Sequence, residues 1–175
     1  MNFPPNIPPP PGAALITEIV MPLPVMVDIS KPKKRINSRS KGQRGEREVI
    51  GLLQDIVDSV RLSLQLPAIL LQRNTLQSHV GGHDITGLAG FSVEVKFQEM
   101  EYSADWWRQC LKQAAKDRSV PILIYRRVRQ PWRVKFRAFV ATPHDVDQVE
   151  LDVTTDFADF ADWFEIAYRE ACNAR

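Results

Sequence analysis

Four consecutive or nearby positions in the middle of the chain have the residue types of a site that hydrolyses phosphodiester bonds. Asp84 comes about ten positions before Glu94, and Lys96 follows Glu94 with Val95 between them. Two carboxylates can hold a hard cation such as Mg²⁺, and the carbonyl of Val95 could add a third oxygen ligand. The lysine would place a fixed positive charge near the attacking water or the phosphate. Taken alone, a Glu-Val-Lys strand is more often a solvated face with a cross-strand ion pair.

The pattern around these residues predicts the strands that would position them. Residues 91–97 alternate between apolar and polar types, which places Glu94 and Lys96 side by side on one face of a strand. A turn with two glycines precedes this segment, so residues 83–88 are predicted to form the other strand of a hairpin. Asp84 would then lie across from Glu94 or Lys96.

A third carboxylate is predicted to point from a helix toward the core. Apolar residues recur at spacings of three and four between positions 49 and 60, which predicts an amphipathic helix over about 43–62. Glu46 falls on the same stripe, where a carboxylate is costly unless it is paired or binds a metal. The alternative is an acidic residue favoured by the helix dipole in the first turn. Glu48 lies off the stripe and fits that alternative better.

Together these residues resemble the PD-(D/E)XK nuclease superfamily, and within it the Holliday junction resolvase branch. That branch has a helix start of the form Lys-Gly-x-x-x-Glu-Arg-Glu, then an Asp after a Gly/Ser-rich turn, then Glu-Val-Lys. The resemblance covers about residues 40–137. The branch usually has a serine near the glycine before the Asp, whereas this chain reads Ser-His-Val-Gly-Gly-His at 78–83. The matching residues are Lys41, Gly42, Glu46, Arg47, Glu48, Asp84, Glu94, Val95 and Lys96.

The resemblance implies roles for individual residues. Arg47 would be a phosphate-facing residue beside the site, and Arg73 falls on the first strand, where the branch often has an arginine. Gln109 or Gln113 could reach the site from the next helix, as a polar residue there sometimes does in the superfamily. The metal ligands would be Glu46, Asp84 and Glu94, with Lys96 as the catalytic lysine. The metal is expected to be Mg²⁺, with Mn²⁺ able to substitute, and no small-molecule cofactor is expected.

The function implied by this resemblance is a metal-dependent, structure-specific endodeoxyribonuclease that resolves Holliday junctions by paired hydrolysis. Symmetric cutting of a four-way junction needs two sites, so a homodimer is expected. Two alternatives stay open: another PD-(D/E)XK nuclease of the flap, recombination or restriction type, and a non-catalytic nucleic-acid-binding protein with this fold. The compact length and the tail suggest a phage or mobile-element protein in the cytoplasm of a bacterial or phage-infected cell.

The net charge of +2 conceals an uneven distribution of charge along the chain. Residues 31–47 contain eight basic residues and one acid, and residues 121–139 contain six basic residues and no acid. Residues 145–170 contain nine acids and one arginine. A basic body masked by an acidic end is compatible with binding to branched or duplex DNA. The predicted DNA contacts are Lys41, Arg44, Arg47, Arg73, Arg126, Arg127, Arg133, Lys135 and Arg137.

The last strand predicted before the acidic end carries three of these cations. Over residues 132–140, Arg133, Lys135 and Arg137 alternate with apolar residues, so all three would share one face. Such a row could follow the phosphates of a nucleic-acid strand. The alternative is an edge strand whose charges prevent aggregation.

The predicted fold class is α/β, with a restriction-endonuclease-like core. A central mixed sheet would be flanked by helices in the order αβββαβ, with an additional C-terminal helix. The predicted elements are a helix (43–62), three strands (68–73, 83–88, 91–98), a helix (104–118), two strands (121–126, 132–140) and a helix (155–173). The predicted divisions are a Pro-rich then basic flexible tail (1–40), the nuclease core (41–140) and an acidic amphipathic helical extension (141–175). We expect that extension to pack on the core or on a second subunit, away from the DNA.

The remaining features set limits on other functions. No run of eighteen apolar residues occurs, so no membrane span is expected, and the N-terminal composition does not favour a signal peptide. Cys110 and Cys172 are predicted to be free thiols. His83 could approach the site, but a structural or solvent-facing role is the more common outcome. We expect Trp107 to be buried and Trp106 to lie at an interface, with stacking on exposed bases as an alternative.

Overall fold

The computed structural model describes residues 38–75, 82–142 and 145–174 of the 175-residue chain. Almost all of the predicted tail therefore lies outside the described residues, and its flexibility stays a prediction. In chain order the described elements are α1 (Ser38–Ser63), β1 (Gln72–Arg73), β2 (Ile85–Thr86), β3 (Phe91–Gln98), α2 (Ala104–Asp117), β4 (Val120–Arg127), β5 (Arg133–Thr142), β6 (Asp145–Asp156) and α3 (Phe157–Asn173).

The central sheet has four strands in the order β3-β4-β5-β6. Strands β3 and β4 run parallel, whereas β4, β5 and β6 are antiparallel to their neighbours. A parallel pair needs a long crossover connection, and α2 supplies it between the two strands. The predicted α/β architecture, a mixed sheet flanked by helices in the order helix, three strands, helix, strand, is confirmed.

The first two predicted strands are much shorter than expected. Strands over 68–73 and 83–88 were predicted, but only β1 and β2, of two residues each, are present, and they pair with each other. The predicted hairpin between 83–88 and β3 is therefore wrong. Gly87 and Gly90 adopt φ values of 101° and 93°, and these left-handed conformations turn the chain out of an extended path before it enters β3.

Strand β6 is missing from the prediction. The extension 141–175 was expected to contain a helix over 155–173, which is present as Phe157–Asn173, but the strand before it, which pairs antiparallel with β5, was not expected. The acids of β6 pair with a cation of the neighbouring strand, since Arg137 contacts Glu150 and Asp152. The ion pairs that stabilise this strand form only when it lies next to β5. The segment alone is polar and acidic, which does not predict a strand.

One face of the sheet, here called the core face, packs against α1 and α3. The apolar stripe of α1 contributes Val49, Leu53, Val57 and Val60, all of which are fully buried. Helix α3 contributes an aromatic layer: Phe164 packs edge-on against Phe91, with ring centroids 5.2 Å apart. The predicted packing of this helix on the core is confirmed, and the apolar periodicity of both helices accounts for it.

The opposite face, here called the α2 face, is covered only in part. Trp107 and Cys110 of α2 pack on Leu123 of β4, and all three are buried. The predicted burial of Trp107 is confirmed. Helix α2 begins after Ser103, whose side chain accepts a hydrogen bond from the backbone N–H of Asp105. In the part of the chain that the structure describes, no helix is long and apolar enough to cross a membrane.

Candidate active site

Strand β3 places Glu94 and Lys96 together on the α2 face. Glu94 is only 1% exposed, although it is a carboxylate. The Lys96 ammonium forms an ion pair with Glu94 Oε1. In the parallel register with β4, Glu94 lies beside Leu123 and Lys96 beside Tyr125. The alternation of residue types that predicted this strand therefore also predicted the side-by-side placement of the two charged residues.

Asp84 reaches the free edge of β3 from the segment before β2. Its backbone N–H donates to the Val93 carbonyl at 2.8 Å, and its Oδ2 accepts from the Val95 N–H at 2.6 Å. Since the N–H and C=O of one strand residue point to the same side, the Val95 carbonyl also points to this edge. Asp84 is thus close to Glu94 in space, as predicted, but through single contacts rather than a hairpin ladder.

Helix α2 completes the surroundings of Glu94. The side-chain nitrogen of Gln109 donates to Glu94 Oε1 at 3.1 Å, and its oxygen lies 3.5 Å from Lys96 Nζ. The expected approach of Gln109 to the site is therefore present in the structure. The second carboxylate oxygen of Glu94 is buried and has no hydrogen-bond partner. A buried carboxylate oxygen without a donor is costly, so this atom is an open coordination position.

Burial changes the protonation of both carboxyl groups. Burial, and with it the nearby charge of Glu94, raises the pKa of Asp84 from 3.8 to about 7, although the Val95 N–H and Lys96 oppose this change. Burial also raises the pKa of Glu94, and the nearby Lys96 lowers it in part. The two buried carboxyl groups therefore take up protons more readily than exposed ones, and a cation bound beside them would favour their ionised forms.

Glu46 points from α1 toward the same site, but its carboxylate is paired with Arg73. It still raises the pKa of both Asp84 and Glu94, so it lies within electrostatic reach of them. The approach of the helix depends on Gly45, where a Cβ atom would lie 2.7 Å from the Cβ of Phe97. The glycine next to Glu46 thus allows α1 to contact β3 closely.

The three predicted metal-binding carboxylates do not converge in this structure. Among the described residues, no group of three or more His, Cys, Asp or Glu side chains is placed to hold a metal ion, and Glu46 is held by Arg73. The donor set at the edge of β3 nevertheless fits a hard divalent cation. Asp84 and Glu94 offer buried carboxylates, one with an unpartnered oxygen, and oxygen ligands are those that Mg²⁺ prefers.

The first turns of α1 carry a cluster of predicted DNA contacts beside the site. Lys41 and Arg44 lie over the ring of Phe97, at 5.3 and 5.2 Å from its centroid, and Arg126 lies over the same ring at 4.5 Å. Lys41 also pairs with Glu99 at 3.2 Å. Arg47 is exposed on the same helix. The ring of Phe97 therefore holds three cations near one end of the site.

The other predicted DNA contacts are mostly engaged with acids or aromatic rings. Arg126 forms a bidentate pair with Glu48, at 2.8 and 2.7 Å, and Arg127 pairs with Glu101 at 3.4 Å. Arg73 is committed to Glu46. The Arg126 pair is the strongest of these in geometry, since both of its bonds are short and parallel.

The cations of β5 do not form an unobstructed row. Strand β5 lies between β4 and β6, so the alternative of an edge strand is wrong. Arg137 is paired with the acids of β6, and Lys135 lies over the rings of Tyr102 and Trp107. Arg133, the first residue of the strand, is exposed and lies opposite Tyr125 of β4.

Cys110 and His83 lie within electrostatic reach of Glu94, but no part of the proposed chemistry uses the cysteines or His83. Cys110 is buried, and burial raises the pKa of its thiol to about 12, which makes it unreactive. Cys172 is a half-buried free thiol, so both predicted free thiols are confirmed. His83 precedes Asp84 and lies 3.6 Å from Asp117 at the end of α2.

Sequence reasoning missed two residues that organise the site. Glu48 was interpreted as a helix-dipole acid, but it accepts hydrogen bonds from Arg126 and from the indole of Trp132, the latter at 3.0 Å. Tyr125 lies directly beside Lys96. Its alternation within the strand 121–126 was visible in the sequence, but the parallel pairing with β3 was not.

The acidic helix α3 contacts α1 far from the site. Arg61 donates to the Tyr168 hydroxyl at 3.3 Å, and Arg169 donates to Ser63 at 2.8 Å. Arg61 is about 22 Å along the helix axis from Glu46, at 1.5 Å per residue. These contacts agree with the expectation that the helix lies away from the catalytic end.

The mixed sheet, the carboxylates at the edge of β3 and the lysine beside them define a nuclease of the PD-(D/E)XK class. The family described as "Phage putative PDDEXK endonuclease" matches residues 37–166. The chain belongs to this family, so it is an endonuclease of phage type, and the resemblance identified from the sequence motifs is confirmed.

The chain is similar to a Holliday junction resolvase, Hjc, from the archaeal hyperthermophile Archaeoglobus fulgidus, with 17% identity and a TM-score of 0.41. The similarity covers 69% of this chain and 98% of the archaeal one. No curated protein matches the chain.

Proposed function

We propose that this endonuclease is a Mg²⁺-dependent, structure-specific enzyme that cuts branched DNA, with the four-way junction as its preferred substrate. The observation that carries the metal dependence is the buried pair of Asp84 and Glu94, in which one carboxylate oxygen of Glu94 has no hydrogen-bond partner. The preference for junctions rests on the motif resemblance to the resolvase branch, from the start of α1 to the Glu-Val-Lys of β3.

The proposed metal site lies at the free edge of β3. Asp84 and Glu94 would bind the cation with one carboxylate oxygen each, and the Val95 carbonyl on the same edge would be a third protein ligand. Glu46 would join them after release from Arg73, directly or through water. Mn²⁺ is expected to substitute for Mg²⁺, since the ligands are all oxygens.

The proposed reaction is hydrolysis of one phosphodiester bond at a time. The oxygen of a water molecule bonds to phosphorus while one P–O ester bond breaks; the departing oxygen takes up a proton, and the attacking water gives one up to solvent. A divalent cation held by Asp84 and Glu94 would lower the pKa of the attacking water and neutralise charge on the phosphate. Lys96 stabilises the charge that develops on the phosphate oxygens, and Gln109 holds Lys96 and Glu94 in their relative positions.

The proposed DNA-binding surface surrounds this edge. Arg44 and Arg47 are exposed at the start of α1 and would contact phosphates on one side of the scissile bond, and Lys41 would join them after release from Glu99. On the other side, the exposed Arg127 and Arg133 are the best placed of the remaining cations. Arg73, Arg126, Lys135 and Arg137 would first have to leave the partners that now hold them, so we expect smaller contributions from these four.

Paired cuts across a junction require two sites, and we therefore propose a homodimer as the active form. A monomer that nicks once would still be a nuclease but could not resolve a junction in one encounter. The proposal places the enzyme in the cytoplasm of the infected cell, where phage DNA is branched during recombination or replication.

The test is a cleavage assay on three end-labelled substrates at equal concentration: a four-way junction, a 5′ flap and a linear duplex. Each is incubated with Mg²⁺, Mn²⁺ or EDTA and with the wild type, Asp84→Asn or Lys96→Ala. Paired symmetric nicks in the junction, lost with EDTA and in both variants, are expected. Asp162→Asn is the matched control, because Asp162 is an exposed carboxylate on α3, and it should cut like the wild type.

Other outcomes separate the parts of the proposal. Cutting of flap or duplex in preference to the junction would overturn the substrate and keep the metal site. Junction binding without cutting under any metal would overturn catalysis and favour a DNA-binding protein. Calorimetric titration of Mn²⁺ into the wild type and Asp84→Asn gives a readout independent of activity, and equal binding by both would remove Asp84 from the ligand set.

A further inference from the structure

A cavity of about 300 Å³ opens on the α2 face, between the start of α2 and the ends of β4 and β5. Three aromatic side chains form its wall. Tyr102 and Tyr125 have ring centroids 5.1 Å apart, and Trp106 meets Tyr102 edge-on at 6.2 Å. Tyr102 is 39% exposed, and Trp106 and Tyr125 are half-buried. We name this cavity, lined by Tyr102, Trp106 and Tyr125, the aromatic pocket.

The aromatic pocket adjoins the proposed catalytic residues. Tyr125 is the register partner of Lys96 in the parallel pair β3–β4, and adjacent strands lie about 4.8 Å apart. Both side chains leave the sheet on the α2 face, since Leu123, two positions before Tyr125, packs there against Trp107. A nucleic-acid strand whose phosphate lies at Lys96 would therefore bring a neighbouring base to the mouth of the pocket.

The charges around the pocket suit a nucleotide rather than an apolar ligand. Arg127 and Arg133 line the cavity and are both exposed. Glu101 is the acid that lines it, 86% exposed and paired with Arg127, which is itself 55% exposed. A surface ion pair of this kind contributes little, so Arg127 can exchange the carboxylate for a phosphate at low cost. Arg133 is the register partner of Tyr125 in the antiparallel pair β4–β5 and so lies beside the aromatic wall.

A stacked and paired base cannot enter such a cavity. In a continuous duplex each base has neighbours above and below it, whereas a base at a branch point, a flap or a gap can leave the stack. Aromatic side chains bind single-stranded bases by stacking with little dependence on sequence. The occupant that fits an aromatic wall, an arginine rim and a position beside Lys96 is an unpaired base.

We propose that the aromatic pocket binds an unpaired base of the DNA substrate, next to the phosphate that is cut. The inference rests on the proposed function, because it takes Lys96 as the position of the scissile phosphate. It adds a physical basis for the choice of branched over continuous DNA: the branch supplies the unpaired base that the pocket needs, and an intact duplex does not.

The test measures binding in EDTA, where no cleavage occurs, with the full-length protein. Fluorescence anisotropy gives the affinities for a labelled single-stranded oligothymidine, a duplex of the same length and a four-way junction. Trp106→Ala and Tyr102→Ala are each expected to weaken single-strand binding roughly 5- to 100-fold, the range found when one stacking residue is removed. Duplex binding should change much less, and Trp106→Phe, which keeps a ring, should retain most of the affinity.

The matched control is Phe139→Ala, because Phe139 is an exposed aromatic residue (60% exposed) outside the pocket. It should leave binding of the oligothymidine unchanged. Thermal melting of each variant identifies a loss of fold, and Tyr102→Ala provides a second, more exposed position if Trp106→Ala unfolds. Equal, small effects of the pocket variants and of Phe139→Ala would overturn the proposal, as would equal loss of single-strand and duplex binding.

The two proposals fail in different ways. If the wild type cuts branched DNA but Trp106→Ala and Tyr102→Ala bind and cut with unchanged preference, the pocket is rejected and the nuclease site stands. If no DNA is cut under any metal but the pocket variants selectively lose single-strand binding, the catalytic site is rejected. The pocket is then supported as a single-strand binding site.

Discussion

The two faces of the central sheet meet different demands. On the core face, Phe160 and Phe164 of α3 are fully buried and contact each other and Phe136 or Tyr168 at ring distances of 5.4 to 5.8 Å. On the α2 face, a fully buried residue is Glu94, with one oxygen unpartnered. The core face buries mainly apolar groups, whereas the α2 face buries the carboxylate of an ion pair, Glu94 with Lys96.

The two faces therefore contribute different properties: the core face stabilises the fold, and the α2 face carries the candidate active site. Apolar burial and aromatic packing stabilise the fold from the core face. On the α2 face, burial of Asp84 and Glu94 opposes folding in the absence of a cation. Alternation within β3 makes this division possible, since one strand contributes Val93 and Val95 to the first face and Glu94 and Lys96 to the second.

The largest expected effect is on catalysis, from Glu94→Gln. The variant keeps the shape of the side chain but removes its charge, and cleavage should fall by on the order of 10³-fold or more, since a metal ligand and charge partner of Lys96 is lost. Metal-free thermal stability should stay the same or rise. Initial cleavage rates, and melting curves in EDTA, check both statements. A clear loss of metal-free stability would show that Glu94 stabilises the fold, as the residues of the core face do.

Phe160→Ala makes the opposite change, on the core face. Phe160 is completely buried, and removing its ring should cost about 3–5 kcal/mol of unfolding free energy. Cleavage per folded molecule should be unchanged, because the ring is on the other side of the sheet from Glu94. Urea denaturation followed by circular dichroism measures the loss. Ile166→Ala, at a 61% exposed position of the same helix, is the control and should lie within about 0.5 kcal/mol of wild type.

A third prediction concerns the pH dependence of stability in EDTA. The pKa of Asp84 is raised to about 7 in the folded protein, above the value of about 3.9 expected when unfolded. The folded state thus binds the proton more tightly, so the stabilisation from this group is complete below pH 4 and is lost as pH rises through 7. Compared with Asp84→Asn, the wild type should become progressively less stable between pH 4 and 8.

Differential melting of wild type and Asp84→Asn in EDTA across this range measures the effect, with Asp162→Asn as an exposed control. The difference reports the titration of Asp84 together with its interaction with Glu94, since the remaining titrating groups are common to both proteins. If the stabilities of the wild type and Asp84→Asn changed in parallel at all pH values, the raised pKa of Asp84 would be contradicted. Saturating Mg²⁺ should remove most of the difference at pH 8 if Asp84 is a ligand, since only the wild type gains binding energy.

Much of the fold could be predicted from the sequence because its elements are locally regular. The stripe of α1, the alternation of β3 and the bounds of α2 all follow from spacing alone. Strand β6 could not be predicted, because two of its acids are stabilised by ion pairs with Arg137 of the neighbouring strand, and that contact is not encoded locally. The short β1 and β2 were overestimated, because single backbone bonds and glycine turns replace a regular ladder there.

The site could be predicted as a set of residues but not as a geometry. Asp84, Glu94 and Lys96 come together as their motif implies, because they share one strand edge. The pairing of Glu46 with Arg73 was not predictable, since it joins α1 to β1 across 27 positions of sequence. The position of Tyr125 beside Lys96 depends on the parallel register of β3 and β4, which no local pattern encodes.

The smallest expected effects come from substitutions at two glycines of α1. Gly45 lies where the helix contacts β3, and Gly51 lies on the exposed surface of the helix. At Gly45 a methyl group would lie 2.7 Å from the Cβ of Phe97, whereas at the exposed Gly51 nothing lies within 4 Å. Gly45→Ala should destabilise by roughly 1–3 kcal/mol through overpacking. Gly51→Ala should stabilise by about 0.5–1 kcal/mol, because alanine loses less backbone entropy in a helix. Urea denaturation measures both.

Since displacement of α1 also moves Glu46, Gly45→Ala should slow cleavage by the folded protein and Gly51→Ala should not. Equal stability of the two variants would mean that α1 can shift away from β3 without cost, and an unchanged cleavage rate in Gly45→Ala would remove Glu46 from the proposed metal site.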